Sequence, residues 1–243
     1  AATVDDVPDT VQAHNQDITM FSNKAVSEEY TFAIIPKSTN SVFFDPVKDG
    51  CEARAAALSR VSIRGGISIK CIFVGPQSEE HFEEQGVIAL DLINSGSVDG
   101  ISFAVMNPEI AATIVDSAVA ANIPIITFDS DAPDTDRSAY VGTDNIALGE
   151  EIAMVLLSRF ATSGKYAILS IDANVAPNVF IRATGVRNKL NEHGWNEAHG
   201  SPLLVSPEVS KETFDLLHDH MTKHPDTDAI LVTWGKLLQF SLS

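Results

Sequence analysis

Short apolar runs alternate with amphipathic stretches along most of this chain. Regular structure is predicted to begin at Tyr30, where the run Thr31–Ile35 is followed by a segment from Asp45 to Leu58 with apolar residues at helical spacing. The same succession of a β-branched run and a helical pattern repeats about seven times. Such alternation predicts a parallel sheet covered by helices on both faces, which is an α/β fold.

The predicted elements follow one another closely. The predicted strands are 31–35, 69–74, 100–105, 123–128, 139–142, 166–171, 203–205 and 229–233. The predicted helices are 45–58, 79–94, 108–121, 146–161, 179–192 and 209–223.

Uneven spacing of these units argues against a closed eight-unit barrel, and the fifth strand lacks a normal crossover before it. Two doubly wound, Rossmann-like lobes are predicted instead, with the second lobe incomplete. The predicted division gives a flexible acidic arm over 1–29, an N-terminal lobe over 30–143 and a C-terminal lobe over 144–243.

Composition narrows the possible partners. Among the 243 residues, 44% are hydrophobic, which is enough for a sizeable core, and the formal net charge is −17. Nucleic acids and anionic membrane surfaces bind clustered Lys and Arg, so this charge argues against both. No apolar run approaches the roughly 18 residues of a membrane span. The chain opens Ala-Ala-Thr-Val-Asp-Asp without a visible secretory signal, which fits a mature form or an intracellular protein.

The two cysteines, Cys51 and Cys71, are predicted to lie in a helix and in the strand that follows it. If Cys71 begins its strand, the two residues lie at opposite ends of a βα layer, too far apart for a disulfide. Two buried thiols are therefore expected, with a bridge as the alternative.

Polar residues that directly follow strands are the candidate ligand contacts, because open α/β sheets bind ligands outside the carboxyl ends of their strands. Asp129 and Asp131 come directly after the buried run Ile125–Phe128. An ionised carboxylate accepts several hydrogen bonds from hydroxyl groups, which sugars present in abundance. Local turn chemistry is the alternative role for Asp129.

The loop after the first strand places Asn40, Phe43 and Phe44 within five residues of one another. Aromatic rings pack on the C–H faces of sugars while amides hold their hydroxyl groups. The alternative for both rings is a hydrophobic seal over the start of the next helix.

Three further candidates follow later strands. Asn107 could contact a ligand or cap the helix that begins at Pro108. Arg182 could grip ligand oxygens with its forked guanidinium, or form a salt bridge at the surface or between the lobes. Trp234 could stack on a ligand or merely pack.

Motifs for nucleotide binding and for nucleophilic catalysis are missing from the sequence. There is no G-x-G-x-x-G, no phosphate-loop lysine signature, no C-x-x-C and no G-x-S-x-G. The aspartates near Asp129 lack the spacing of a calcium loop, and no carboxylate or cysteine motif completes a zinc site around His218, His220 and His224. No metal, no cofactor and no enzymatic activity are predicted.

Three segments in order resemble the type I periplasmic binding proteins, with the ribose- and related sugar-binding proteins as the closest group. They are Lys37–Asn40 with Phe43–Phe44, Thr127–Pro133 and Tyr140–Asn145. The resemblance implies that Phe43 and Phe44 stack on a sugar, that Asp129 binds its hydroxyl groups and that Arg182 contacts it from the second lobe. Ser41 and Ser130 depart from the asparagine and arginine of the ribose binders.

The resemblance further implies non-catalytic binding of a small carbohydrate between the lobes, as the solute-binding component of an ABC-type sugar importer. The expected partners are the sugar and a permease or receptor, and the expected location is periplasmic or otherwise extracytoplasmic. A complete chain is expected to be a monomer. The alternative is a ligand-sensing module of a receptor or signalling protein, and an enzyme with a divergent α/β fold is a third interpretation. The family continues for about 60 to 80 residues beyond the length seen here, so a C-terminal truncation is also expected.

Overall fold

The computed structural model describes residues 29–62, 67–160, 163–207 and 210–235. The acidic arm predicted over 1–29 lies outside these ranges, except for Glu29, which begins the first strand. Two parallel sheets with packed helices are built from the described residues, as the alternating pattern predicts.

The first sheet has five strands in the order β2-β1-β3-β4-β5, and all neighbouring pairs are parallel. Its elements are β1 (Glu29–Ile35), α1 (Asp45–Ser62), β2 (Ser68–Phe73), α2 (Phe82–Ser95), β3 (Gly100–Phe103), α3 (Pro108–Ala120), β4 (Ile125–Phe128) and β5 (Ala139–Val141).

The second sheet is centred on one long strand that pairs with three others, again in parallel. Its elements are α4 (Asn145–Arg159), β6 (Lys165–Ile171), α5 (Pro177–Glu192), β7 (Asn196–Glu197), β8 (Leu203–Val205), α6 (Lys211–Lys223) and β9 (Ala229–Val232). The two-residue strand β7 was not predicted, because such a short polar segment carries no periodicity.

Alternate residues of β1 face two different hydrophobic clusters. Ala33 and Ile35 pack with apolar residues of α2 and α3, whereas Ile34 packs with Phe44 and the residues of α1. Because successive side chains of a strand point to opposite faces, the first sheet is covered by helices on both sides. This is the doubly wound arrangement that the sequence predicts.

Helices α4 and α5 cross at two glycines. A Cβ atom at Gly149 would lie 2.0 Å from the carbonyl oxygen of Arg182, and one at Gly185 would lie 2.1 Å from that of Ile146. Only glycine allows backbones to approach this closely. The crossing holds α4 against the second sheet; the predicted lobe boundary between residues 143 and 144 stays a prediction.

The expectation of two free thiols is wrong, because Cys51 and Cys71 form a disulfide. Cys71 is the fourth of six residues in β2 rather than its first, and Cys51 lies in the second turn of α1. Helix α1 runs back along the sheet from its carboxyl edge, so the two Cα atoms come within 6.0 Å of each other. Both residues pack against the cluster that contains Phe44.

Among the residues that the structure describes, no helix combines the length and the apolar character that a membrane crossing requires.

Candidate ligand-binding cleft

A cavity of about 660 Å³ lies between the two sheets. Its walls come from residues after β1, β2 and β4 on one side and after β6, β8 and β9 on the other. All six of these strands present their carboxyl ends to it, which is where open α/β sheets bind ligands. Asn40, Phe43, Phe44, Asp129, Arg182 and Trp234 line this cleft, out of the eight residues predicted as ligand contacts.

Asp129 takes a left-handed backbone conformation, with φ of 60°, at the point where β4 ends. Its N–H donates to the carbonyl of Val141, and its own carbonyl accepts a hydrogen bond of 2.9 Å from the Tyr140 hydroxyl. Burial, together with the charges of Asp129 and Asp131, raises the pKa of Tyr140, so this hydroxyl keeps its proton at neutral pH. A non-glycine residue in this region is strained, and such residues cluster at functional sites.

The carboxylate of Asp129 forms an ion pair with Lys37, whose Nζ lies 2.8 Å from Oδ2. The Lys37 ammonium also donates to the hydroxyl of Ser130. Lys37 is only 4% exposed, and the side chain of Asp129 is 17% exposed toward the cleft. A buried charge requires a partner, and the two residues supply one another with it.

Asn178, in the first turn of α5, touches both members of this ion pair. Its Oδ1 accepts from Lys37 Nζ at 3.2 Å, and its Nδ2 donates to Asp129 Oδ1 at 3.1 Å. Asn178 is buried. Asn178, which lies beside the second sheet, is therefore hydrogen-bonded to an ion pair formed by two residues of the first lobe.

Arg182 lies one helical turn after Asn178 and reaches the same cleft. Nη2 and Nε donate to Asn145 Oδ1 at 2.8 and 3.3 Å, and Nη1 donates to the carbonyl of Thr233. Burial lowers the pKa of Arg182, although the charge of Asp129 opposes this effect. Within the described part of the chain, these bonds use three of the five guanidinium N–H groups and leave two donors for a ligand.

The two phenylalanines have different surroundings. Phe43 is 64% exposed at the rim of the cleft, whereas Phe44 is 1% exposed and packs edge-on against Phe128. The two rings meet edge to face, with centroids 5.0 Å apart. Phe44 therefore belongs to the core, in line with the sealing alternative, and stacking of the exposed Phe43 ring on a ligand stays a prediction.

Asn40 lies in the same rim loop and is exposed, and Trp234 follows β9 at the far wall. The Trp234 ring packs against Ile171, Ala176 and Val179. Its buried Nε1 donates no hydrogen bond to any described residue.

The structure does not bring Asn107 or Asp131 to the cleft. Asn107 caps α3, with Oδ1 accepting from the N–H of Ile110 at 3.0 Å. Asp131 receives hydrogen bonds from Thr127 and Arg137. Burial, which would raise the pKa of Asp131, is outweighed by these bonds, and its pKa lies below the ordinary value. Capping, the alternative weighed for Asn107, accounts for that residue, and local hydrogen bonds engage the carboxylate of Asp131.

Lys37 and Asn178 line the cleft but are not among the residues predicted as ligand contacts. Both lie in the segments after strands that the sequence marks as ligand loops. Lys37 lies three residues before Asn40, the first predicted contact of its loop, and Asn178 lies one turn before Arg182. Position after a strand could have suggested them, but the ion pair with Asp129 spans 92 residues and leaves no local pattern.

Within the ranges that the structure describes, no group of three or more His, Cys, Asp or Glu residues could hold a metal ion. Of the three histidines weighed for zinc, His220 is buried and its Nε2 lies 3.3 Å from the Thr227 hydroxyl.

Two parallel-stranded lobes with a polar cleft at the carboxyl ends of both sheets are the architecture of the periplasmic binding proteins. The sequence matches the periplasmic binding protein domain family over residues 32–239. This chain belongs to that family.

A sugar-binding protein of known name is similar to this chain in sequence. The ribose import binding protein RbsB of Bacillus subtilis is 28% identical over 148 residues, which are 61% of this chain and 45% of RbsB. The match thus spans less than half the length of that relative.

Solved structures share the fold. GanP, a glucose-galactose binding protein from Geobacillus stearothermophilus, superposes with a TM-score of 0.70 at 23% identity, over 84% of this chain and 68% of GanP. An ABC transporter solute binding protein from Agrobacterium vitis with bound D-fucose gives a TM-score of 0.64 at 25% identity, over 82% and 66% of the two chains.

Proposed function

We propose that this protein binds a small, neutral carbohydrate in the cleft between its lobes and does not transform it. The observation that carries the proposal is the position of Asp129, whose carboxylate is held at the floor of the cleft by Lys37 and Asn178. Among the residues that the structure describes, each carboxylate oxygen has one donor and keeps a lone pair for a ligand hydroxyl.

The charges that line the cleft support a neutral ligand. The charged residues are Lys37 and Arg182 on the positive side and Glu79 and Asp129 on the negative side, so they sum to zero. An amino sugar or a sugar phosphate would add a net charge to a partly enclosed cavity, and that is costly without a matching partner.

Size and chemistry support a monosaccharide or a comparably small sugar. A volume of about 660 Å³ is within the range of pockets that hold small molecules. Asp129 offers acceptors, Arg182 offers donors, and Phe43 offers an apolar ring at the rim. These are the three kinds of contact that a polyol with C–H faces requires.

The role we propose is that of the solute-binding component of an ABC-type sugar importer outside the cytoplasm. Membership of the family and the sugar-binding relatives support this role. The Cys51–Cys71 disulfide agrees with an oxidising compartment, since disulfides persist there and are rare in the cytosol. A sensing module that uses the same cleft is the alternative, and a fused signalling domain in the full-length gene would favour it.

A thermal-shift screen against neutral monosaccharides tests the proposal, with glucosamine and glucose 6-phosphate as charged comparisons. A bound sugar at 100 times its Kd stabilises the folded state by about 2.7 kcal/mol, which raises Tm measurably. Stabilisation by a neutral sugar but by neither charged compound is expected. Chemical turnover of the stabilising sugar, or stabilisation by the charged compounds alone, would contradict the proposal.

A further inference from the structure

The three N–H groups of the Lys37 ammonium match three protein acceptors. These are Asp129 Oδ2, the Ser130 hydroxyl and Asn178 Oδ1. An ammonium has three donors and no acceptor, so no donor of Lys37 is left for a ligand. Although Lys37 borders the cleft, all three of its donors bind protein acceptors, so its role is to position other groups.

Two of these contacts, together with one from Asn178 to Asp129, form a closed circuit. Lys37 donates to Asn178, Asn178 donates to Asp129, and Asp129 pairs with Lys37. A carboxamide can accept and donate at once, so Asn178 fits both charges without being charged itself. The side chains of Lys37 and Asn178 are almost fully buried.

This circuit joins the two halves of the cleft. Lys37 follows β1 and Asp129 follows β4 in the first sheet, whereas Asn178 begins α5 beside the second sheet. A second contact across the cleft, from the Ser206 hydroxyl to the Glu80 carboxylate at 2.5 Å, is exposed to solvent. Exposed polar contacts contribute little, so the buried circuit is the stronger link.

We propose that Lys37 and Asn178 form a cross-cleft clasp on Asp129 that fixes its carboxylate for the ligand and favours closure of the lobes before a ligand arrives. The proposal rests on the carbohydrate-binding function for its first part. Its second part, the closure of the lobes without a ligand, depends only on contacts between protein residues. Opening of the lobes breaks both hydrogen bonds of Asn178 and leaves the Lys37–Asp129 pair with one partner fewer on each side.

The clasp predicts a measurable closed population without sugar. Breaking two buried hydrogen bonds, one of them to each charge, changes a two-state equilibrium by about tenfold or more. The Asn178→Ala variant therefore shifts the ligand-free protein toward open forms. A ligand-free protein with a smaller closed fraction also binds sugar more weakly, because fewer molecules are in the conformation that holds the ligand.

Pulsed electron paramagnetic resonance on the sugar-free protein tests the clasp directly. Spin labels at Val87→Cys in α2 and Val155→Cys in α4 lie on opposite sides of the cleft, and both positions are well exposed. The native cysteines are joined in a disulfide and do not take up the label. Asn174→Ala is the matched control, because this exposed asparagine lies four residues before Asn178 and does not line the cleft.

The parent and the Asn174→Ala protein are expected to share a major distance population that fits the closed lobes. Asn178→Ala is expected to move most of that population to a different, open-state distance, with an unchanged far-UV circular dichroism spectrum. Lys37→Met is expected to do the same if it folds, but the Asn178→Ala distances alone decide whether the clasp exists. A distance distribution for Asn178→Ala that matches Asn174→Ala overturns the clasp.

Sugar titrations of the same proteins separate this inference from the proposed function. The affinity of Asn178→Ala for a sugar found in the screen is expected to fall by the same factor as its closed fraction, which is up to about tenfold, while Asn174→Ala binds like the parent. Lost affinity with unaltered distances overturns closure by the clasp. If no sugar binds any of the proteins, the carbohydrate function fails, and the distance measurement alone decides the closure.

Discussion

The hydroxyl of Tyr140 donates a hydrogen bond of 2.9 Å to the backbone carbonyl of Asp129, eleven residues earlier in the chain. The acceptor residue has φ of 60°, and its N–H is bonded to Val141 of the same short strand. Strand β5 thus fixes the backbone of Asp129, while Lys37 and Asn178 fix its carboxylate. The cleft presents this group in one orientation because both its main chain and its side chain are held.

Replacement of Asp129 tests its role in binding. Asp129→Ala is expected to weaken binding of a sugar from the screen by more than tenfold in isothermal titration calorimetry, because a charge-assisted acceptor is lost. It also leaves Lys37 buried without its counter-ion, which lowers the free energy of unfolding by about 3 kcal/mol.

Asp129→Asn is the control for the backbone. Asparagine tolerates the left-handed conformation better than alanine does and keeps an acceptor oxygen. It is therefore expected to retain more stability than Asp129→Ala in urea unfolding. A loss of sugar affinity below tenfold in the alanine protein would contradict the role given to this carboxylate.

Substitution of Gly149 tests how the helix crossing supports the cleft. A Cβ atom at this position would lie 2.0 Å from the carbonyl oxygen of Arg182, so Gly149→Ala must separate α4 from α5. We expect a loss of about 3 kcal/mol in the free energy of unfolding, as for other strongly overpacked sites. Sugar affinity should also fall, because Asn145 and Arg182 lie on the two helices and are hydrogen-bonded to each other.

Gly50→Ala is the matched control for that substitution. Gly50 lies inside α1, and a Cβ atom there would meet nothing within 4 Å. Alanine loses less conformational entropy on folding, so this variant should be more stable by about 0.5–1 kcal/mol. Equal effects of the two substitutions in urea unfolding would argue against a tight crossing of α4 and α5.

Much of the fold could be predicted from sequence because its strands are continuous apolar runs. Strands such as Ile125–Phe128 lie in a parallel sheet that is covered on both faces, so they are apolar throughout. Their composition therefore identifies them as strands even when the neighbouring strands are unknown. Helix caps could be predicted from local sequence too. Asn107 has a side chain that can cap a helix, and the proline after it is typical of a first helical residue. The two-residue strand β7 carries no such local signal.

The candidate site was predictable only in part, for a physical reason. Asp129 directly follows β4, and Arg182 lies in the second turn of α5, the helix after β6. Both carry hydrogen-bonding groups, so position and residue type together mark them as candidates. Asn107 and Asp131 also come shortly after strands, but other protein groups bind them. Asn107 accepts from an N–H of the helix that it caps, and Asp131 pairs with Arg137. The pairing of Lys37 with Asp129, and the disulfide, depend on tertiary distances that spacing along the chain does not give.

The disulfide between Cys51 and Cys71 is expected to stabilise the first lobe. It closes a loop with a sequence separation of 20, and a cross-link of that span contributes about 3 kcal/mol. Urea unfolding with and without a reductant measures this contribution, and the midpoint should fall when the reductant is present.

The Cys51→Ala, Cys71→Ala double variant is the control for the reductant. It should unfold at the lower midpoint of the reduced parent and respond to reductant no further. A parent whose unfolding is indifferent to reductant would argue against a stabilising bond.

Stability should depend on pH through His220. Burial, with the nearby His224, lowers the pKa of His220 below its ordinary value. The folded protein therefore binds fewer protons at this site than the unfolded chain does, and stability rises with pH. Its contribution is complete above the unfolded pKa near 6.5 and is lost as the pH falls through the lower folded pKa.

Urea midpoints measured between pH 7.5 and 5 test this expectation. The parent should lose stability across that window, and His220→Gln should lose less. His218→Gln changes an exposed histidine of the same helix and should keep the slope of the parent. The same slope in all three proteins would exclude His220 as the source.

Tryptophan fluorescence should report ligand binding through a single residue. The chain has two tryptophans: Trp234 lines the cleft, whereas Trp195 is buried in the core of the second sheet with Tyr166 and Leu190. A sugar that enters the cleft changes the surroundings of the first ring and leaves those of the second unchanged. Trp195→Phe should therefore keep the sugar-dependent change in emission, and Trp234→Phe should lose it. If the change instead follows Trp195, the sugar does not bind beside Trp234, and the ligand site lies elsewhere in the protein.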